Sequence, residues 1–184
     1  MDNLYIALVH YPVVNKKNKT IGSALTTIDM HDIARASMTF GVKRVYVITP
    51  FQDQADLAHE VIRHWTQGAG SRLNPSRKQA LELIRVADTF EAAVQQIQAE
   101  HNRPVVTIAT SARMNQKTIS PHALKQKQRS DTPCLLIFGT AWGLADELIN
   151  QCDMQLDPIT GPGDYNHLSV RSAASIYLDR LMNG

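Results

Sequence analysis

Cysteine is scarce. The 184 residues hold two, Cys134 and Cys152, both inside apolar runs and in no CxxC or Cys/His cluster. That argues against a disulfide framework and a cysteine-built metal site, and leaves both as small buried hydrophobes of a reducing, cytoplasmic compartment. The seven histidines are scattered without HExxH spacing, so no metal is assigned. Long apolar runs are missing as well. The first, Leu4 to Val9, is too short for a signal peptide or a membrane span, and no membrane partner is expected. Neither GxxxxGK[ST] nor GxGxxG occurs, which argues against a P-loop and against a Rossmann-like nucleotide-binding oxidoreductase.

Acid is absent from one long stretch. Between His101 and Ser130 lie Arg103, Arg113, Lys117, Lys125, Lys127 and Arg129 without a single Asp or Glu. Although the whole chain has a formal net charge of only +2, the rest of it carries thirteen basic against seventeen acidic residues. Such a segment is either a polyanion contact or a solvated helix and loop face. A smaller run, Lys16-Lys17-Asn18-Lys19, poses the same choice.

What is present is alternation of strand and helix patterns. Residues 4–9 read as a buried strand, followed by a polar loop from about residue 11 to 20. A helix over 29–40 ends at Gly41, placed as a C′ glycine. A strand over 42–49 stops at Pro50, and a helix follows over 54–66. Gly, Asn and Pro make 68–76 a loop, and 80–87 alternates as a strand. Asp88 or Thr89 caps a helix over 90–100, and a strand follows over 104–110. The basic segment holds a short helix after Pro121, and 134–138 is another strand. A short helix over 143–150, a short strand over 152–156 and a closing helix over about 166–182 complete the chain. This predicts one α/β domain over 1–184, with a mostly parallel sheet covered by helices.

In such sheets ligands sit where loops leave the carboxyl ends of strands. Three loops have the right character: Thr110-Ser111-Ala112-Arg113, Gly139 to Leu144, and Asp157-Pro158-Ile159 through Asn166. Two are glycine-rich, so backbone groups can approach a ligand with no Cβ in the way. All three belong to the C-terminal half, which is therefore expected to bind something through main-chain groups and small residues.

Three segments carry a resemblance in the right order along almost the whole chain. Residues 30–48, MHDIARASMTFGVKRVYVI, resemble motif 1 of the SPOUT-class RNA methyltransferases; 135–144, LLIFGTAWGL, resemble motif 2; and 156–178, LDPITGPGDYNHLSVRSAASIYL, resemble motif 3. The resemblance implies a C-terminal trefoil knot, S-adenosylmethionine as cofactor, an RNA substrate and a homodimer with its active site at the subunit interface. It is closest to the stand-alone catalytic domain type. It assigns the cofactor to Thr110, Ser111, Ala112, Phe138, Gly139, Thr140, Trp142, Gly143, Pro158, Ile159, Asn166, Leu168 and Ser169. It also explains the small residues opening the last helix, since a helix threaded through a tight loop needs them.

The sequence departs from the family at three points. His167, not an asparagine, precedes the Ser-Val pair of motif 3 in register, with Asn166 one position earlier. Arg171 adds a charge where many relatives are small. Met30-His31-Asp32 lacks the asparagine that commonly precedes the motif 1 helix. For catalysis the resemblance points to Arg35, whose guanidinium can orient a phosphate or stabilise a developing oxyanion; the bland alternative is a helix-surface ion pair with Asp32. Asp164 and His167 are candidate proton acceptors or loop-capping groups. Trp142 either stacks on a base or covers the core. The leading reading is an RNA methyltransferase. A knotted RNA-binding or assembly module without turnover is the alternative, and the oxidoreductase is the weakest of the three.

Overall fold

The computed structural model describes residues 3–113, 118–127 and 131–183. Its centre is strand β1, Leu4–Val9, in which all six positions are buried. A strand's side chains alternate between faces, and here both faces are covered. Leu4, Ile6 and Leu8 join one core cluster, while Tyr5, Ala7 and Val9 join the other. A strand buried on both sides reads as a continuous apolar run, the pattern of a parallel sheet between helix layers.

β1 is followed by a hairpin of two short strands, β2 (Val13–Val14) and β3 (Thr20–Ile21), and then by helix α1, Thr27–Thr39. α1 starts two residues before the expected Asp29, because Thr26 is its N-cap and accepts from the Asp29 amide at 3.3 Å. At its other end Gly41 adopts φ +72°, as a C′ glycine should. Strand β4 (Arg44–Ile48) and helix α2 (Gln52–Thr66) follow as the periodicity predicts.

The segment 68–76 departs from the expected loop. It holds α3 (Ala69–Leu73) and the start of α4 (Pro75–Leu81). Asn74 and Pro75 form a helix start. The Asn74 side chain accepts from the Arg77 amide at 3.0 Å, and proline takes the first helical position, where its missing N–H has no partner to lose. Because α4 extends to Leu81, the strand expected over 80–87 shrinks to β5, Ile84–Ala87.

The rest of the chain contributes α5 (Phe90–His101), β6 (Val106–Ala109), α6 (Pro121–Lys127), β7 (Cys134–Gly139), α7 (Asp146–Gln151), β8 (Met154–Gln155) and α8 (Val170–Met182). Thr89 caps α5, accepting from the Ala92 amide at 3.1 Å. Two helices begin later than expected. Gly143, at φ +108°, lies outside α7, and Ser169 caps α8, accepting from the Ser172 amide at 3.2 Å. Residues 166–168 therefore belong to an entry loop.

The six-stranded sheet has the order β5-β4-β1-β7-β6-β8, and every pairing is parallel. Helices α1, α2, α4, α6 and α8 pack on one face, α5 and α7 on the other. Both cysteines are free. Burial pushes the thiols of buried Cys134 and half-buried Cys152 up to about 12, consistent with inert packing.

The edge strand β8 is short and is pinned by a side chain. Both the backbone N–H and the hydroxyl of Thr107 donate to Asp153 Oδ2 at 2.8 Å, and the Asp153 amide returns a bond to Thr107 Oγ1 at 3.0 Å. Asp153→Ala removes the charged acceptor of two bonds and is expected to cost about 1.5 to 3 kcal/mol, read as a lowered midpoint in urea with an unchanged m-value. An unshifted midpoint would mean that backbone pairing with β6 holds β8 alone.

Candidate functional site

Strand order reverses direction beside β1, since β4 and β5 lie to one side of it while β7, β6 and β8 lie to the other. At that end of the sheet opens a cleft of about 1010 Å³, the position where open parallel sheets bind ligands. The loop after β6 supplies Thr110, Ser111, Ala112 and Arg113. The end of β7 and its loop supply Phe138, Gly139, Thr140, Ala141, Trp142 and Gly143. Ile159, Asn166, His167, Leu168 and Ser169 come from the segment leading into α8, whose first turns add Val170, Arg171 and Ala173. The three loops singled out from sequence thus converge. Asn166 ties two of them together, its Nδ2 donating to the Ala112 carbonyl at 2.9 Å.

The β7 loop is built by backbone constraint. A Cβ added to Gly139 would lie 2.4 Å from the Leu144 amide nitrogen and 2.7 Å from the Gly143 carbonyl carbon. Only a glycine lets the chain fold back this closely. Gly143 takes φ +108°, and Ala141 takes φ +52°, a left-handed conformation that costs a non-glycine residue roughly 1–2 kcal/mol. Strain of this kind persists where the surrounding structure holds it. Here the Gly143 amide donates to the Thr140 carbonyl at 2.9 Å, and the Trp142 amide to the Val14 carbonyl at 3.0 Å. Trp142 is 60% exposed on the cleft wall. It does not cover the core, which leaves its face available for stacking.

Beneath this loop a polar chain of half-buried hydroxyls leads to a buried histidine. Thr140 donates its hydroxyl to the Val9 carbonyl at 2.9 Å and makes a short hydroxyl contact with Ser23, whose Oγ lies 3.1 Å from His10 Nδ1. His10 is fully buried and its Nε2 has no partner among the described residues. Burial lowers its pKa, with nearby Asp29 opposing part of the shift.

Sequence reasoning missed the cleft's charged pair. Asp29, 7% exposed at the start of α1, accepts from Thr26 Oγ1 and from Arg171 Nη1. Arg171 Nε also lies 3.5 Å from Asp32. The departure at position 171 is thus the clasp between the motif 1 and motif 3 helices, and it engages the Asp32 carboxylate that the bland alternative had paired with Arg35. Among the described residues lining the cleft, Asp29 is the sole carboxylate, against Lys16, Arg113 and Arg171.

Three predicted residues lie off the cleft lining. Arg35 is exposed on α1, Asp164 is exposed in the entry loop, and Pro158 is buried. His167 does line the cleft, with its ring edge-on to Tyr165 at 5.4 Å. The basic segment is partly spent on the fold. Arg103 pairs with Asp131, Arg113 with Asp146 at 3.5 Å, and Lys125 Nζ donates to the Met182 carbonyl at 3.1 Å. Lys127 is exposed, while Lys117 and Arg129 lie outside the described residues. Among the described residues no three His, Cys, Asp or Glu side chains gather as metal ligands, and no helix is long and apolar enough to cross a membrane.

A family model described as SAM-dependent RNA methyltransferase matches residues 3–183. A tRNA (guanine-N(1)-)-methyltransferase of Oleidesulfovibrio alaskensis is 47% identical over 180 residues, which is 98% of this chain and 42% of that protein. The chain thus spans less than half the length of that relative. An uncharacterized protein of Aquifex aeolicus is 37% identical over 99% of this chain and 89% of its own length. Among solved structures, a probable methylase family protein from Haemophilus influenzae superimposes with a TM-score of 0.64 at 20% identity, covering 98% of this chain and 65% of that one. The SpoU methyltransferase AviRb from Streptomyces viridochromogenes, solved in complex with AdoMet, gives 0.59 at 16% identity, covering 98% and 57%. These likenesses establish a fold shared with a SpoU methyltransferase.

The buried histidine has a consequence for pH. Both His10 and His31 have folded-state pKa values lowered from 6.5, chiefly by burial. The unfolded chain therefore binds more protons near that value, so this stability is present above about pH 6.5 and is lost as pH falls towards the folded values. The melting temperature is expected to drop between about pH 7.5 and pH 5.5, and His10→Gln to flatten that drop. An equal slope in the variant would assign the effect to His31 alone.

Proposed function

The chain belongs to the SAM-dependent RNA methyltransferase family, and we propose that it transfers the methyl group of S-adenosylmethionine to a nucleotide of RNA, as a SPOUT-like catalytic domain in the cytoplasm. The observation that carries this reading is the cleft at the carboxyl ends of β6 and β7, walled by three loops of small residues and main-chain groups. We take tRNA as the substrate class, because a relative 47% identical is named a tRNA methyltransferase. Its guanine N1 specificity belongs to a protein more than twice as long and is left with that protein.

The donor fits the cleft on two grounds. Gly139 lets the β7 loop fold back on itself so that small residues and main-chain groups wall the cleft, and the buried side chains along it are neutral apart from the self-compensated Asp29–Arg171 pair. The bound donor supplies an electrophilic methyl group. Thr110, Ser111, Ala112, Phe138, Gly139, Thr140, Trp142, Gly143, Ile159, Asn166, Leu168 and Ser169 line its site, with Pro158 buried beside Ile159. The Arg171 clasp fixes α8 against α1, so the entry loop and the β7 loop keep their spacing. His167, facing the cleft, accepts the proton of the nucleophile, with Asp164 on the same loop as the alternative acceptor.

Arg35 completes the site from the other subunit in this reading. It lies off the cleft of its own chain, so its role in orienting the RNA nucleophile requires a homodimer. The knotted C terminus is the further part of the proposal, supported by α8 packing against α1, α6 and β7 and by Asn166 tying the entry loop of α8 to the Ala112 carbonyl.

S-adenosylmethionine at about 100 times its dissociation constant is expected to add roughly 2.7 kcal/mol, some 5–10 °C in melting temperature, while NAD adds nothing. Gly139→Ala is expected to abolish that response, because its Cβ would force the Gly143–Leu144 backbone of the β7 loop out of place. A response to NAD in place of the methyl donor would overturn the reading.

Light scattering should return twice the single-chain mass. In single-turnover methyl transfer at saturating cofactor, Arg35→Ala is expected to lose about two orders of magnitude with cofactor affinity intact, and Arg35→Lys to recover little. Full activity in Arg35→Ala would shift the chemistry to the loop bearing Asp164 and His167.

A further inference from the structure

The lysine run of the first loop is the feature that the fold turns from a choice into a placement. Lys16, Lys17 and Lys19 form the tip of the β2–β3 hairpin, and the turn that carries them is defined by its own asparagines. Asn15 Oδ1 accepts from the amides of Lys17 at 2.8 Å and Lys19 at 3.1 Å, and Asn18 takes the left-handed conformation at φ +57°. Asparagine tolerates that conformation better than other side chains. The turn therefore projects all three lysines outward in one geometry.

The hairpin is fixed to the cleft. The Val14 amide donates to the Gly143 carbonyl at 2.9 Å, and the Ala145 amide to the Pro12 carbonyl at 3.3 Å. Val13 and Val14 are buried. At the hairpin's root Tyr11 meets Phe51 edge-on at 6.0 Å, and the Phe51 ring lies so close to Gly22 that a Cβ there would clash at 2.3 Å. Lys16, Asn15 and Asn18 line the cleft directly, and Arg113 reaches across to donate to Asn18 Oδ1 at 3.3 Å.

Charge decides what this rim is for. From His10 to Ile28 the chain has no acidic residue, and among the described residues none of the three ammonium groups is ion-paired. Three solvated cations held beside a binding cleft do little for the fold. They suit a ligand with negative charges spaced along a strand.

We propose that the β2–β3 hairpin is the rim that grips the RNA backbone beside the target nucleotide, with Lys16, Lys17 and Lys19 contacting phosphates and Trp142 on the same wall offering its face to a base. This rests on the methyltransferase reading and names which surface delivers the substrate to it. It also relocates substrate contact from the 101–130 segment, where Arg103, Arg113 and Lys125 already hold other parts of the chain.

The test uses the full chain with unfractionated tRNA and, separately, S-adenosylmethionine. In the triple variant K16Q/K17Q/K19Q the affinity for tRNA is expected to fall at least tenfold. The slope of log affinity against log salt should shrink by about 0.7 to 0.9 for each phosphate that is no longer neutralised. Cofactor affinity and thermal melting should match wild type. A control variant, K43Q/R63Q/R72Q, removes equal charge from exposed residues off the cleft and should leave the slope nearly unchanged. An unaltered salt slope in the hairpin variant, or an equal loss in the control, overturns the proposal while leaving the methyltransferase reading intact. A wild-type protein that binds no S-adenosylmethionine overturns that reading instead, whatever the hairpin does.

Discussion

The arrangement depends on one strand that has no exposed face or edge. β1 is paired on both sides, Val9 lying opposite Ile48 on one neighbour and Gly139 on the other, and is packed above and below. Its register with β7 brings the glycine that needs a bare backbone level with the last residue of β1. From there the chain turns into the hairpin on one side and the strained β7 loop on the other. The cleft is the gap left where these two continuations diverge. Its position thus follows from hydrophobic burial, which is worth about 1.5–3 kcal/mol for each large side chain in β1, before any polar group is considered.

Polar groups then set the cleft's shape. Threonines at the ends of β6 and β7 turn their hydroxyls onto carbonyls of neighbouring strands, Thr110 onto Ile137 and Thr140 onto Val9. The Arg171 clasp joins helices through residues 142 positions apart in sequence. With Asp29 nearly buried, losing Arg171 would strand a carboxylate, a worse outcome than losing both partners. The clasp is therefore better understood as a constraint on geometry than as a source of net stability.

Much of this is legible in the sequence, and the boundary of legibility has a physical meaning. Strands such as 4–9 and 134–138 are continuous apolar runs, and helix α1 has both its periodicity and its terminal glycine. Two of the three ligand loops are visible because glycine and proline after a strand mark backbone that must turn, and the loop at 110–113 is visible only from its place after the strand over 104–110. The 68–76 segment misleads because Asn-Pro marks both a turn and a helix start, and the two differ only in whether the next residues continue to coil. The Asp29–Arg171 pair is invisible, because nothing local records which carboxylate a distant arginine meets. Arg171 is at least conspicuous as a charge among small residues. Composition singles out Lys16, but its place on the cleft depends on backbone bonds from Val14 to a loop about 130 residues away.

That same sequence distance bears on how the chain is made. β1 meets β4 early, within the first 48 residues, but its other edge is filled only by β7, which ends at Gly139. At ribosomal rates of 5–20 residues per second, the nascent chain carries an apolar strand with an open hydrogen-bonding edge for roughly 5 to 20 s. An unpaired edge of this kind templates pairing with other chains. The protein's most secure strand in the finished fold is its most vulnerable one during synthesis.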